Sequence, residues 1–166
     1  MGGGGGYGFS PSDKTKLEEK AKERLKQASD SIKRNVFISF SHDDLNEVNL
    51  LRGQAKNENS ELNYADHSVK EPFNSENADY IKRNIRDKIE KASVTMVYLS
   101  DKSMKSEWVR WEIEQSKKMG NGVIAVYKGD VPPSNIPSHV KDNVSAIVPW
   151  KHDAMTAAIN KAAKER

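Results

Sequence analysis

From residue 35 onward, short uninterrupted apolar runs alternate with stretches in which apolar residues return every third or fourth position. Residues 35–40 (NVFISF), 93–99 (SVTMVYL) and 122–127 (GVIAVY) are rich in β-branched and apolar side chains with almost no alternation. That is the pattern of strands covered on both faces, as in a parallel sheet. Residues 62–65 and 144–148 form two weaker runs of the same kind. Between the runs, helical spacing connects Leu45, Val48, Leu51 and Ala55, then Ala78, Ile81, Ile85, Ile89 and Ala92, then Trp108, Trp111, Gln115 and Met119 before Gly120. A last amphipathic segment carries Met155, Ala158, Ile159 and Ala162. Strands that alternate with helices predict βαβ units, and therefore an α/β, flavodoxin-like fold with a five-stranded parallel sheet and helices on both faces. Residues 128–143, with Pro132, Pro133 and Pro137, are predicted to form an irregular crossover without a helix.

The first 33 residues follow different rules. Residues 1–9 are a glycine-rich tail that buries too little apolar surface to offset the entropy of ordering. Residues 10–33 are predicted to be a helical extension: Ser10 stands at an N-cap, Pro11 at the first helical position and Asp13 in the first turn. Leu17, Ala21, Leu25 and Ala28 make a thin apolar stripe on an otherwise charged segment. Such a stripe is enough for docking or for pairing with a second copy, but not for independent stability. Residues 34–166 form the remaining domain.

Composition narrows the chemistry. The 166 residues carry 27 Lys and Arg against 24 Asp and Glu, a net charge of +3. Residues 1–34 hold eight basic and five acidic side chains, so the surplus belongs to the extension and the folded remainder has 19 of each. A balanced domain gives no support for nucleic-acid binding through a strongly basic surface. With no Cys, disulfide frameworks, thiolate-ligated metals and thiol nucleophiles are excluded together. No apolar run approaches the ~20 residues that a membrane span needs, and residues 1–30 lack the core of a signal peptide, so no membrane partner and a cytoplasmic location are expected.

Ligands of open α/β sheets sit beyond the carboxyl ends of the strands, near the point where strand order reverses. Four polar segments fall there: Ser41 to Asp44, Asp66 to Ser68, Ser100 to Lys102, and Lys128 to Asp130. Polar residues at strand ends also serve as ordinary helix caps and turns. A less ordinary feature is the segment SEWVRWEIE at residues 106–114. Trp108 and Glu112 are one turn apart on one face, with Val109 and Ile113 in the next row, so Glu112 is bracketed by apolar neighbours. A carboxylate facing a partly apolar cleft suits a catalytic acid or electrostatic stabiliser. The alternative is a solvated Glu112 paired with a nearby Lys such as Lys105 or Lys117.

The strand FISFS at residues 37–41, the pattern Trp108-Val109-Arg110-Trp111-Glu112, and Pro149-Trp150 near the end resemble the TIR domain. The likeness is to its bacterial branch, typified by the TIR component of the Thoeris antiphage system, and it covers residues 35–150. This resemblance implies an enzyme, with NAD+ as substrate, no cofactor and no metal. Glu112 would be the catalytic glutamate, Trp108 would shape its side of the cleft, and Phe40, Ser41, His42 and Asp43 would line the nucleotide pocket. Asp66 and His67, at the head of the loop after the second strand, are further candidates by position. That loop reads HSVKEPF at residues 67–73 and lacks the Arg-Asp-x-x-Pro-Gly motif of animal and plant relatives. Cleavage of the nicotinamide–ribose bond would release ADP-ribose or a cyclic isomer, and homo-oligomers with composite sites between protomers are implied as well.

Three other readings stand beside it. One is a non-catalytic TIR-like assembly module. Another is a phosphoacceptor receiver domain, suggested by Asp43, Asp44 and Asp101, although Ser100 displaces Asp101 from the strand end and the Trp-rich helix is left unexplained. The third is a metal site at His42, Asp43, Asp66 and His67, which lacks any motif spacing.

Overall fold

The structure, a computed structural model, describes residues 11–30, 34–57, 62–66, 69 and 71–166. The chain divides into two compact units, Met1–Ile32 and Lys33–Arg166. In the first, α1 (Pro11–Asp30) begins at the predicted proline. It exposes Leu17 at 48%, in keeping with a stripe too thin to make a core. Ser10, the expected N-cap, lies outside the described residues.

The second unit is built on five parallel strands: β1 (Arg34–Ser39), β2 (Leu62–Asp66), β3 (Val94–Tyr98), β4 (Gly122–Tyr127) and β5 (Ile147–Pro149). Their spatial order is β2-β1-β3-β4-β5, the flavodoxin-like arrangement, with the reversal between β1 and β3. The helices are α2 (Leu45–Asn57), α3 (Ala78–Glu90), α4 (Glu107–Lys118), α5 (Ser138–Lys141) and α6 (His152–Glu165).

Strand pleating divides the core in two. Val36, Ile38 and Phe40 of β1 and its end, with Met96 and Ile124, pack on one face against Val48 and Leu51 of α2 and Met155 and Ile159 of α6. On the opposite face Phe37 meets Ile85 and Ile89 of α3 and Trp108 and Trp111 of α4. Val97, Val123 and Ala125 there meet Val109 and Ile113 of the same helix. Burial of the three central strands on both faces explains their lack of alternation.

Two expectations need correction. The proline-rich crossover contains one helical turn, α5, because Pro137 sits at its N-cap with extended ψ, where its missing N–H costs nothing. The last strand is shorter and later than residues 144–148, since ladder pairing along β4 involves only Ile147 to Pro149. Trp150, just beyond, packs against Tyr64 and Tyr98 with ring centroids 6.5 and 6.1 Å apart. Among the described residues no helix is long and apolar enough to cross a membrane.

Candidate active site

At the carboxyl end of β1 the chain turns sharply. Ser41 caps a short 3-10 turn over His42–Asp44, its carbonyl accepting from the Asp44 N–H at 2.8 Å and its hydroxyl from the Asp43 N–H at 3.4 Å. Capping aims residues 41–43 away from the sheet and into the crevice beside the switch point. The Ser100 hydroxyl, from the turn after β3, donates to the Asp44 carboxylate and ties these two strand ends together. Burial holds the Asp44 carboxyl above its ordinary value; the Ser100 hydrogen bond opposes that shift, and Asp43 and Glu47 add to it.

The opposite wall is the first half of α4. Ser106 is its N-cap and accepts from the Val109 N–H at 3.2 Å. Trp108 stands one turn before Glu112 and donates its indole N–H to the Glu71 carbonyl at 2.8 Å. Phe73 meets the Trp108 ring edge-on at 5.0 Å, and Trp111 stands perpendicular to Trp108 at 6.1 Å. Lys82 of α3 lies 4.0 Å above the Phe73 ring, and the Arg86 guanidinium is 5.2 Å from that of Trp111. The segment between β2 and α3 is thereby fastened to α4 through an aromatic contact and one hydrogen bond from an indole N–H to a main-chain carbonyl.

These walls enclose a cavity of about 450 Å³ lined by Phe40, Ser41, His42, Asp43, Val69, Glu71, Ser106, Trp108 and Glu112. The Glu112 residue is only 2% exposed. Its backbone carbonyl accepts from the Ser116 hydroxyl at 2.7 Å, and that hydroxyl in turn meets Thr95 of β3 at 2.6 Å. A solvent-exposed Glu112 is therefore not what the fold builds. The position between two apolar rows, readable from the spacing, becomes burial because those rows pack on two different strands.

Of the eight residues singled out in the sequence, Phe40, Ser41, His42, Asp43, Trp108 and Glu112 line this one cavity. Asp66 ends β2; its side chain and the whole of His67 lie outside what the structure describes. Sequence reasoning missed Val69, Glu71 and Ser106. The Ser106 cap was legible as a Ser three residues before an apolar position, whereas Val69 and Glu71 sit in a loop with no periodicity to mark them. Among the described residues, no group of three His, Asp or Glu comes together as a metal site. The receiver-like arrangement does not assemble either: Asp101 is exposed in its turn, and Lys151, the lysine that such a site would need after the fifth strand, pairs with Asp130 at 2.7 Å.

A carboxylate buried beside an open cavity can stabilise positive charge that develops on a bound ligand, because the low dielectric amplifies its field. No curated protein matches the chain. Residues 37–132, which run from β1 past β4 and include all the lining residues, match the family model described as Thoeris protein ThsB, TIR-like domain. That match covers more than half of the 166 residues, and the chain belongs to the Thoeris ThsB TIR-like family.

Proposed function

We propose that the protein cleaves the bond between nicotinamide and ribose in NAD+, acting in the cytoplasm of a bacterium as part of antiphage defence. The observation that carries this reading is the Glu112 residue, 2% exposed, in the wall of a cavity open at the carboxyl end of the sheet. Burying a carboxyl group is costly, and charge stabilisation at the cavity wall is the role that favours this reading over an assembly module.

The chemistry asks little of the protein. The nicotinamide ring carries positive charge while it is bonded to ribose. When the C1′–N bond breaks, the electron pair moves onto the ring nitrogen, nicotinamide leaves neutral, and the ribose becomes oxocarbenium-like. Glu112 would accept hydrogen bonds from the ribose hydroxyls and stabilise the charge as it moves onto the sugar, as a carboxylate does in glycosidases. Trp108 would fix the wall against which the ring lies. Water adding at C1′ and losing a proton gives ADP-ribose; an adenine nitrogen or a ribose hydroxyl of the same molecule gives a cyclic isomer. Neither outcome needs a metal or a second cofactor.

The test is to incubate the purified protein with NAD+ over a range of protein concentrations and to identify products by mass spectrometry. Concentration matters because association of copies is expected to complete the site. Equimolar nicotinamide and ADP-ribose, or nicotinamide and a cyclic isomer, is the expected result; intact NAD+ at every concentration would count against it.

A further inference from the structure

Ser39 closes β1 and is fully buried at 0% exposure, yet its hydroxyl has no hydrogen-bond partner among the described residues. An unsatisfied buried hydroxyl costs stability, and such a group in a native fold calls for a physical explanation. The FISFS strand carried the family resemblance, but none of the lining residues explains this serine.

Its neighbours locate it. Val36, Ile38 and Phe40 face α2 and α6, while Phe37 faces α3 and α4. Ser39, two residues beyond Phe37, shares the α4 face. The level along the sheet follows from the anchor between Ser116 and Thr95, because Thr95 pairs with Phe37 across β1 and β3. A helix that connects parallel strands runs antiparallel to them. One turn back along α4 from Ser116, about 5.4 Å, is Glu112. Two residues forward from Phe37 and Thr95, about 6.6 Å, are Ser39 and Val97, which pair with each other.

The sideways position agrees. On the helix, Glu112 lies between the row of Trp108 and Trp111, which packs with Phe37 of β1, and the row of Val109 and Ile113, which packs with Val97 of β3. Glu112 therefore faces the seam between β1 and β3 at the height of Ser39.

We infer that Ser39 is a positioning residue for Glu112: its hydroxyl, rotated about χ1, donates a hydrogen bond to the ionised carboxylate and holds it at the cavity wall. Among the described residues, the other titratable groups lining that cavity are His42 and Asp43 after β1 and Glu71 after β2. From α3, Arg86 donates to Gln115 at 3.3 Å and lies over Trp111, and Lys82 lies over Phe73. Asp43 and Glu71 bring like charges that repel a Glu112 carboxylate, and no Lys or Arg stands among the described lining residues. An uncharged donor beneath the carboxylate opposes that repulsion without obstructing a cationic ligand.

The inference rests on Glu112 being the working carboxylate, but its test does not need turnover. In protein labelled with ¹³C at the glutamate carboxyl carbons, the Glu112 resonance is assigned by its loss in Glu112→Gln and titrated by NMR. In Ser39→Ala its midpoint is expected to rise by about one pH unit, a tenfold change in the ionisation constant. The acid limb of kcat/KM for NAD+ rises with it. A serine that merely fills space predicts an unchanged midpoint with equal or higher thermal stability, and that result overturns the inference. Absence of NAD+ cleavage would remove the catalytic reading, while the titration would still decide the role of Ser39.

Discussion

The hydroxyl of Thr95 on β3 lies 2.6 Å from that of Ser116 on α4, with both residues fully buried. The Ser116 hydroxyl also donates to the Glu112 carbonyl, so this contact fixes how far α4 slides along the sheet and hence where the Glu112 side chain emerges. Thr95→Val, which leaves the Ser116 donation intact, is expected to cost about 1 kcal/mol. Ser116→Ala is expected to cost more, about 1–3 kcal/mol, because it strands the Thr95 hydroxyl. The double variant should lose less than the two single losses added together. Urea unfolding of the four proteins checks this; strict additivity would mean that the hydroxyls do not interact.

Trp108 binds the segment after β2 through its indole N–H to the Glu71 carbonyl at 2.8 Å. Trp108→Phe keeps a ring for Phe73 and Trp111 but removes the donor. The expected loss is about 1 kcal/mol, which appears as a KM for NAD+ roughly fivefold higher, with kcat less affected. Steady-state kinetics separates the two parameters, and limited proteolysis between residues 66 and 78 should quicken in the variant.

Gly122 begins β4 where α6 passes closest to the sheet. A Cβ there would stand 2.6 Å from the Ala162 carbonyl oxygen and 2.9 Å from its Cβ. Because one contact is helix backbone, it cannot be relieved by a rotamer change, and Gly122→Ala is expected to destabilise by about 1–3 kcal/mol. The site lies at the other end of the strands, so the lowered urea midpoint should come without loss of turnover by the protein that remains folded.

Tyr98 supplies a pH signature. Burial, then the charges of Glu47 and Asp44, push its phenol up to about 12. The folded state thus binds this proton more tightly than the unfolded chain, whose Tyr titrates near 10. Its contribution to stability is complete below pH 10 and is lost as pH rises through about 12. Tyr98→Phe should remove that slope from the stability profile and delete a phenolate absorbance step at about pH 12. Asp44 acts in the same sense at the acid end. Its raised carboxyl contributes most below pH 3.8, and the contribution is lost as pH climbs through the elevated value. Asp44→Asn should flatten that part of the curve.

The legible parts of this fold are those in which local pattern and tertiary environment agree. The β1, β3 and β4 runs are apolar throughout because both faces are covered, and β1, paired on both sides, is read as easily as its neighbours. Glu112 was found through its spacing from Trp108 and its flanking Val109 and Ile113. The short β5 and the single turn α5 were misjudged because three paired residues and four helical ones carry almost no periodicity, and Pro137 reads as a breaker until it occupies a cap. Val69 and Glu71 reach the cavity through loop geometry alone. The unmet Ser39 hydroxyl is invisible in sequence, since its significance lies in what packs above it.

The most direct measurement is nicotinamide release from NAD+ by the wild-type protein and by Glu112→Gln, followed by chromatography at matched concentration. Gln keeps the shape of a side chain that is 2% exposed and removes its charge. The expected result is steady release by the wild type and a loss of at least about 100-fold in the variant, the scale of removing one electrostatic stabiliser. Equal release by the two proteins would contradict the assignment of Glu112 as the carboxylate that stabilises the charge developing on the ribose.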